Sequence, residues 1–243
     1  MSPRLFPGSD PIASPVFLLG GAGPLIMALL LTLREAPAIR SDFFQRLIDL
    51  RRISGRWWLV VLFLHPVLIV LACTLAGVLS VNPLHVSRSL AYLQTESLTP
   101  FISGMLALAF FTFWFGPLPE EIGWRGFAQE RISGKVGLDA GSVLLGCVWA
   151  LWHLPLFFVP GTFQYELGIG HARFWVFMLS IVPLSVIMGW AWIHTRRSTL
   201  GAALIHFSGN FASVLVVKSF EAALIELLLL SMVAVVVVVV SRR

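Results

Sequence analysis

The sequence predicts an all-α fold, a polytopic membrane bundle of about seven transmembrane helices. Of the 243 residues, 58% are hydrophobic and only 12% are charged, and the mean hydropathy is +0.89. Soluble domains carry roughly 25% charged residues. The apolar residues also form long uncharged runs, and an α-helix needs about 20 such residues to cross a bilayer. Because lipid offers no hydrogen bonds to the backbone, we expect these runs to be helical.

Seven runs of the chain have this length. They cover residues 15–33, 57–81, 99–117, 138–159, 173–193, 199–217 and 222–240. Pro66 and Pro155 fall inside two of them, and membrane helices tolerate proline where neighbouring groups bond the freed backbone. At Pro155 we expect the carbonyl of Leu151 to lose its helical partner, because proline has no N–H.

The first run precedes Ala36-Pro37-Ala38, a sequence that resembles a signal-peptidase site. The run is longer than the core of a signal peptide, and Arg34 and Glu35 follow it directly. We therefore expect it to be retained as the first helix. Since no soluble domain or long linker is visible, the sequence predicts a single integral membrane domain over residues 1–243.

The basic residues predict the orientation of the chain. With the N-terminus outside, all but four of the 17 Lys and Arg residues fall in cytoplasmic segments; the exceptions are Arg4, Arg88, Arg173 and Lys218. Cytoplasmic loops carry such an excess. We predict an integral protein of the plasma (inner) membrane, bacterial because its loops are short, with its C-terminus in the cytoplasm. The net charge of +5 is spread over short patches, which argues against a nucleic-acid partner.

The longest polar connection, residues 34–56, has two interpretations. Phe43, Phe44 and Leu47 recur at near-helical spacing among arginines, which is typical of an amphipathic helix at a membrane surface. A basic connector that only sets the topology fits the sequence equally well.

Polar residues inside the apolar runs are the functional candidates, because ionisable groups in a bilayer cost on the order of 2.5–3.5 kcal/mol. The stretch "PLPEEIGWRGF" places Glu121 and Arg125 on one helical face, where they can pair. Glu120 lies about 100° further round the helix, away from that partner. We expect the carboxylate of Glu121 to be paired with Arg125 and that of Glu120 to be available for chemistry. An ordinary polar helix terminus is the alternative for this stretch alone.

Two later runs contribute histidines. "WALWHLP" carries His153 one turn after Trp149, and "LIHFSGNFA" carries His206 and Asn210 four residues apart. Each stretch by itself is explained by packing or by interhelical hydrogen bonds. Together with Glu120 they offer a base for water and donors for an oxyanion, which peptide hydrolysis requires. Glu120, His153 and His206 could instead be ligands of Zn²⁺ or another divalent metal.

This pattern resembles the CPBP family of intramembrane proteases, which includes the CAAX prenyl endopeptidases. The family motifs EExxxR, FxxxH and HxxxN match, in order, Glu120-Glu121-x-x-x-Arg125, Trp149-x-x-x-His153 and His206-x-x-x-Asn210. The resemblance covers a core of residues 98–217, whereas the first two helices agree only in hydropathy. Trp149 stands where the family has Phe, and a ring with an N–H can still line the pocket.

The resemblance implies an intramembrane endopeptidase that hydrolyses a peptide bond with an activated water. Glu120 would be the general base, assisted by His153. His206 and Asn210 would position the water or stabilise the oxyanion, while the second carboxylate and the arginine of the first motif orient that motif. The family is described both as metalloproteases and as glutamate-dependent hydrolases with a metal-free water, and both descriptions remain open at this point.

The expected partners are the lipid bilayer and a membrane peptide or protein substrate, whose identity the sequence does not specify; nor does it specify the oligomeric state. The alternative function is a non-catalytic membrane scaffold or a bacteriocin self-immunity protein. A proton- or ion-coupled transporter is disfavoured because no inverted repeat is visible. Among the other polar residues of the runs, His65 is expected to be a packing residue, and Glu226 to pair with Lys218 or to snorkel.

Overall fold

The structure, a computed structural model, describes residues 20–79, 98–216 and 218–242. Within these ranges every regular element is helical and no β-strand occurs, which confirms the all-α prediction. The α-helices are α1 (Gly23–Thr32), α2 (Pro37–Ile48), α3 (Gly55–Leu79), α4 (Leu98–Trp114), α5 (Pro117–Gly123), α6 (Gln129–Val136), α7 (Leu138–His153), α8 (Phe163–Leu167), α9 (Ala172–His194), α10 (Thr199–Leu215) and α11 (Phe220–Ser241).

Five segments of the described chain are long and apolar enough to cross a membrane. They are α3, Phe101–Val136, Leu138–Phe158, α9 and α11. Helices α1 and α10 are apolar but shorter, with 10 and 17 residues. Each of the seven apolar runs therefore coincides with helix, although residues 15–19, 80–81 and 217 lie outside the described ranges. A bundle of about seven membrane helices agrees with this arrangement.

The third run breaks just before the first motif. Helix α4 ends at Trp114, Gly116 adopts φ −146° and ψ −86°, and α5 begins at Pro117, where the missing N–H of proline costs no helical bond. After α5, one π-helical turn at Trp124–Ala128 leads into α6. Such π turns are frequent at functional sites. The two glutamates thus lie on a short helix of their own.

The core lies where α3, α7, α9 and α10 cross. Its buried residues include Val61, Trp149, Met188, Ala202 and Ile205. Helices α7 and α9 can approach closely because Gly146 has no side chain. A Cβ at this position would lie only 2.9 Å from the Cβ of Ser185. Small residues allow this kind of approach between membrane helices. Helix α11 packs against α3 and α9 through residues such as Leu68, Ile187 and Leu230.

Basic segments that are distant in the sequence meet at one end of the bundle. Arg46 of α2 pairs with Glu130 of α6 at 2.9 Å, and Glu130 also pairs with Arg197. Arg52 pairs with Asp42 at 2.8 Å. The connections that were assigned to the cytoplasmic side therefore share one end of the bundle. The orientation of that end in a membrane stays a prediction.

Residues Pro37–Ile48 form a helix, as the amphipathic interpretation of this connection expected. Phe43 and Arg46 are both buried against the rest of the bundle. Phe44 and Ile48 are exposed on the other side. Helix α2 therefore anchors to the bundle and leaves an apolar edge uncovered, which is suited to a bilayer surface.

Candidate active site

The side chains of the first motif are buried on α5 and the π-helical turn. Glu120 lies in the first turn of α5, where the positive end of the helix dipole favours a carboxylate. Glu121 and Arg125 are both completely buried. Nη1 of Arg125 donates to both carboxylate oxygens of Glu121 at 3.0 Å. The predicted pairing of these two residues is confirmed.

Arg125 also connects the first motif to two other helices. Its Nη2 donates to Oγ of Ser185 on α9 at 3.0 Å, and that hydroxyl donates to the carbonyl of Ser142 on α7 at 2.8 Å. The guanidinium lies 4.7 Å from the centre of the Trp149 ring, a cation–π contact. Ser185 was missed in the sequence. A small hydroxyl in an apolar run was the available signal, because such residues bond across membrane helices.

His206 on α10 contacts the same carboxylate as Arg125. Its Nδ1 lies 3.1 Å from Oε1 of Glu121. A carboxylate paired with arginine is ionised and only accepts hydrogen bonds, so we assign the imidazole proton to Nδ1. In the neutral ring Nε2 is then an acceptor. Glu121 thus sets both the tautomer and the orientation of His206, as outer carboxylates do for functional histidines elsewhere.

Trp149 on α7 makes a direct bond to the other glutamate. Its Nε1–H donates to Oε2 of Glu120 at 2.7 Å, a short bond of the charge-assisted kind. The indole is also edge-on to the ring of His206, with centroids 5.0 Å apart. In the described part of the chain, Oε1 of Glu120 has no hydrogen-bond partner. The sequence pointed to an N–H at this aromatic position but not to its acceptor.

His153 lies at the end of α7, beside this cluster. Its Nδ1 donates to the carbonyl of Trp149 at 2.8 Å, which leaves Nε2 as an acceptor. The ring packs edge-on against Trp152 and Phe177 and is nearly buried. His153 lies within electrostatic range of Glu120 and His206. In its neutral form each histidine therefore has an unprotonated Nε2.

The expectation about the carbonyl of Leu151 was wrong. Helix α7 tightens after His153 into a 3₁₀ segment, Leu154–Phe158, and the N–H of Leu154 bonds to that carbonyl. Tightening the last turn in this way is a common means of satisfying the carbonyls at a helix end. The polar character of this region therefore comes from His153 and its neighbours and not from a freed backbone group.

Asn210 lies one turn beyond His206 on α10 and is exposed. The structure thus brings together five of the six predicted residues by hydrogen bonds and ring contacts, with Trp149 at the centre. Asn210 shares their helix but makes no hydrogen bond to the other described site residues. The site accordingly extends from the buried pair of Glu121 and Arg125 to Asn210, which is exposed.

A metal site was the alternative use of Glu120, His153 and His206. In the described ranges, no group of three or more His, Cys, Asp or Glu side chains is arranged to hold a metal ion. One oxygen of Glu120 is already bonded to Trp149, and Glu121 is occupied by Arg125 and His206. Glu120, His153 and His206 therefore do not form such a group in the structure, and a metal-dependent mechanism stays a prediction beside the metal-free one.

Comparison with known proteins gives two findings. Residues 102–212 match the family described as Type II CAAX prenyl endopeptidase Rce1-like. The chain is also 28% identical over 232 residues to CAAX prenyl protease 2 of Methanococcus maripaludis, covering 94% of this chain and 82% of that protein. The resemblance to the CAAX prenyl endopeptidases is confirmed.

The residues that match the CAAX prenyl endopeptidases include all three motifs, from Glu120 to Asn210. The similarity to the Methanococcus protein extends further, because it covers nearly the whole chain, including most of the part where only hydropathy suggested agreement. Together with the apolar helices, this similarity supports a membrane-embedded protease, that is, an intramembrane endopeptidase.

Proposed function

We propose that this protein hydrolyses a peptide bond in the membrane by attack of a water that Glu120 and His153 activate. The observation that carries the proposal is the arrangement of Glu120: one carboxylate oxygen is fixed by Trp149, and the other has no hydrogen-bond partner among the residues that the structure describes. A base that is held at one oxygen and open at the other can be oriented and still accept a proton.

In this proposal a water lies between Glu120 and the Nε2 of His153. Both are acceptors, so the water donates one hydrogen to each and keeps an oxygen lone pair for the substrate carbonyl. As the C–O bond forms, Glu120 takes a proton from the water. That proton is later delivered to the leaving nitrogen, which completes hydrolysis with the carboxylate restored.

His206 and Asn210 are proposed to act on the carbonyl oxygen. The amide of Asn210 can donate to the developing oxyanion. His206 accepts through Nε2 when neutral and donates through it when protonated. The hydrogen bond from its Nδ1–H to Glu121 would stabilise the imidazolium, as the buried aspartate does in a serine-protease triad. The Glu121–Arg125 pair would keep this histidine in place.

The proposed substrate is a peptide or protein within the bilayer. The site is surrounded by membrane helices, and the neighbouring α4 exposes apolar side chains, Phe110, Phe111 and Trp114 among them, along its length. The Methanococcus relative is named as a CAAX prenyl protease; for this chain we propose the broader class of membrane peptides.

The test is hydrolysis of a membrane-peptide library by purified protein, compared with Glu120→Gln. Glutamine keeps an oxygen to accept from Trp149 but cannot act as a base, so we expect peptide cleavage to disappear while the protein folds normally. Glu166→Gln, at an exposed carboxylate on α8, is the matched control and should cleave like wild type. Equal cleavage by wild type and Glu120→Gln would reject the proposal, and absence of cleavage by both would favour the non-catalytic scaffold.

A further inference from the structure

We propose that His65, held by Glu226 and Lys218, is a positioning residue that fixes the third motif on α10. The inference rests on the proposed hydrolase function. His65 and Glu226 lie in membrane-spanning helices and are only 8% and 6% exposed, yet neither belongs to the motifs. Buried ionisable groups at such positions are costly and therefore invite a functional explanation.

The ring of His65 is held in one orientation by α11. Its Nε2 lies 3.1 Å from Oε1 of Glu226, and Nζ of Lys218 donates to Oε2 of the same carboxylate at 2.6 Å. A carboxylate paired with an ammonium accepts hydrogen bonds, so we assign the proton of the neutral imidazole to Nε2. Nδ1 is then a bare acceptor, and it is buried without a hydrogen-bond partner among the described residues. The sequence expectation that Glu226 pairs with Lys218 is confirmed.

The side of the His65 ring that carries Nδ1 lies against α10 at Gly209. A Cβ added to Gly209 would be 1.9 Å from Nδ1 and 2.4 Å from Cε1 of His65. Gly209 directly precedes Asn210 and follows His206 by less than one turn. His65 therefore contacts α10 at the turn that carries both residues of the third motif.

Stability alone does not explain the hydrogen bonds among His65, Glu226 and Lys218. Replacing a buried ion pair by apolar residues of similar volume is often neutral or stabilising, so packing alone would not require these charges. What the hydrogen bonds add is a single orientation of the imidazole, and hence a defined distance between α3 and α10. Catalytic geometry needs such definition, because a misplacement of 1 Å can lower a rate roughly 10²-fold.

The test begins with Gly209→Ala. The new methyl must move from 1.9 Å to at least 3.4 Å from the ring, a displacement of about 1.5 Å, so we expect kcat to fall roughly 10²-fold with little change in KM. Gly209→Ala combined with His65→Ala removes the ring from that space and should regain about tenfold in kcat. Gly134→Ala is the matched control, since a Cβ at Gly134 meets nothing within 4 Å.

A second pair of variants tests the hydrogen bond itself. Glu226→Gln keeps an oxygen that accepts from His65 and should retain most of the activity. Glu226→Leu removes the acceptor and should lower kcat without raising KM. Nitrogen-15 NMR of histidine-labelled protein in detergent should show a neutral His65 with an unprotonated Nδ1 in wild type, and a mixture of tautomers in Glu226→Leu. A purely structural ion pair would lower the yield of folded protein and leave kcat per folded molecule unchanged.

The outcomes separate the two proposals. If wild type cleaves peptides no faster than Glu120→Gln, the proposed function fails and the positioning role fails with it. If wild type does cleave peptides but Gly209→Ala stays within about threefold of it, or the double variant is no better than Gly209→Ala, only the positioning role is overturned.

Discussion

The bond between Trp149 and Glu120 allows a sharp prediction. Trp149→Phe removes the Nε1–H that donates to Glu120 at 2.7 Å and keeps an aromatic ring in the buried site. It also installs the residue that the related motif carries. We expect the variant to fold and insert, because an aromatic ring still fills most of this space, and to hydrolyse peptides more slowly, because Glu120 is no longer held.

The size of the effect follows from the nature of the bond. Hydrogen bonds to charged groups contribute about 1.5–3 kcal/mol. At about 1.4 kcal/mol for each factor of ten, loss of the whole contribution in the transition state lowers kcat by roughly 10- to 100-fold. Substrate binding does not involve this bond in the proposed mechanism, so KM should change little.

The assay is initial-rate hydrolysis of one cleaved peptide, normalised to folded protein measured by size-exclusion chromatography. Trp175→Phe is the matched control, because Trp175 is 56% exposed on α9 and makes no hydrogen bond to the described site residues. A Trp149→Phe enzyme with kcat within twofold of wild type would show that this bond does not orient the base, and the proposed role of Trp149 would be abandoned.

Three further predictions concern the surroundings of the site. Arg125→Ala leaves the buried carboxylate of Glu121 without its cation and should lower the free energy of unfolding by about 3–5 kcal/mol, read from thermal unfolding in detergent. Dialysis against EDTA should leave peptide hydrolysis unchanged, since the proposed steps use only side chains and water; activity that is lost and then restored by Zn²⁺ would contradict this. Burial alone would raise the pKa of Asp42, but the hydrogen bond from Arg52 and the charge of Arg46 outweigh it and hold the pKa below the ordinary value of 3.8. The stabilisation from Asp42 is therefore present above about pH 3.8 and is lost as the pH falls through the lowered pKa, so Asp42→Asn should melt earlier than wild type at pH 7 and like it in stronger acid.

Features that depend on neighbouring residues were predictable from the sequence. The membrane helices follow from runs of apolar residues, and the Glu121–Arg125 pair follows from i,i+4 spacing on a helix. The convergence of the motifs followed from their order and their resemblance to a family. His65 was expected to be a packing residue, and its bond to Glu226 was not foreseen.

Features that depend on distant packing were not predictable. The break at Gly116 and the π-helical turn arise from how α5 docks on the bundle, and hydropathy does not report either one. The bond from Trp149 to Glu120 joins side chains 29 positions apart and depends on their rotamers. The open position of Asn210 likewise reflects which helices lie beside α10, and spacing along one helix carries no such information.

The pairing of Glu121 with Arg125 has a consequence for biosynthesis. Both partners lie within one helical turn, so they can associate as soon as this segment is helical. Ser185 and His206 are 60 and 85 positions away from their partners and emerge from the ribosome much later. An ion pair without net charge is cheaper to transfer into the bilayer than either ion alone, each of which costs on the order of 2.5–3.5 kcal/mol. The local pair thus lowers the cost of moving this segment into lipid before the helices that complete its polar contacts have been made.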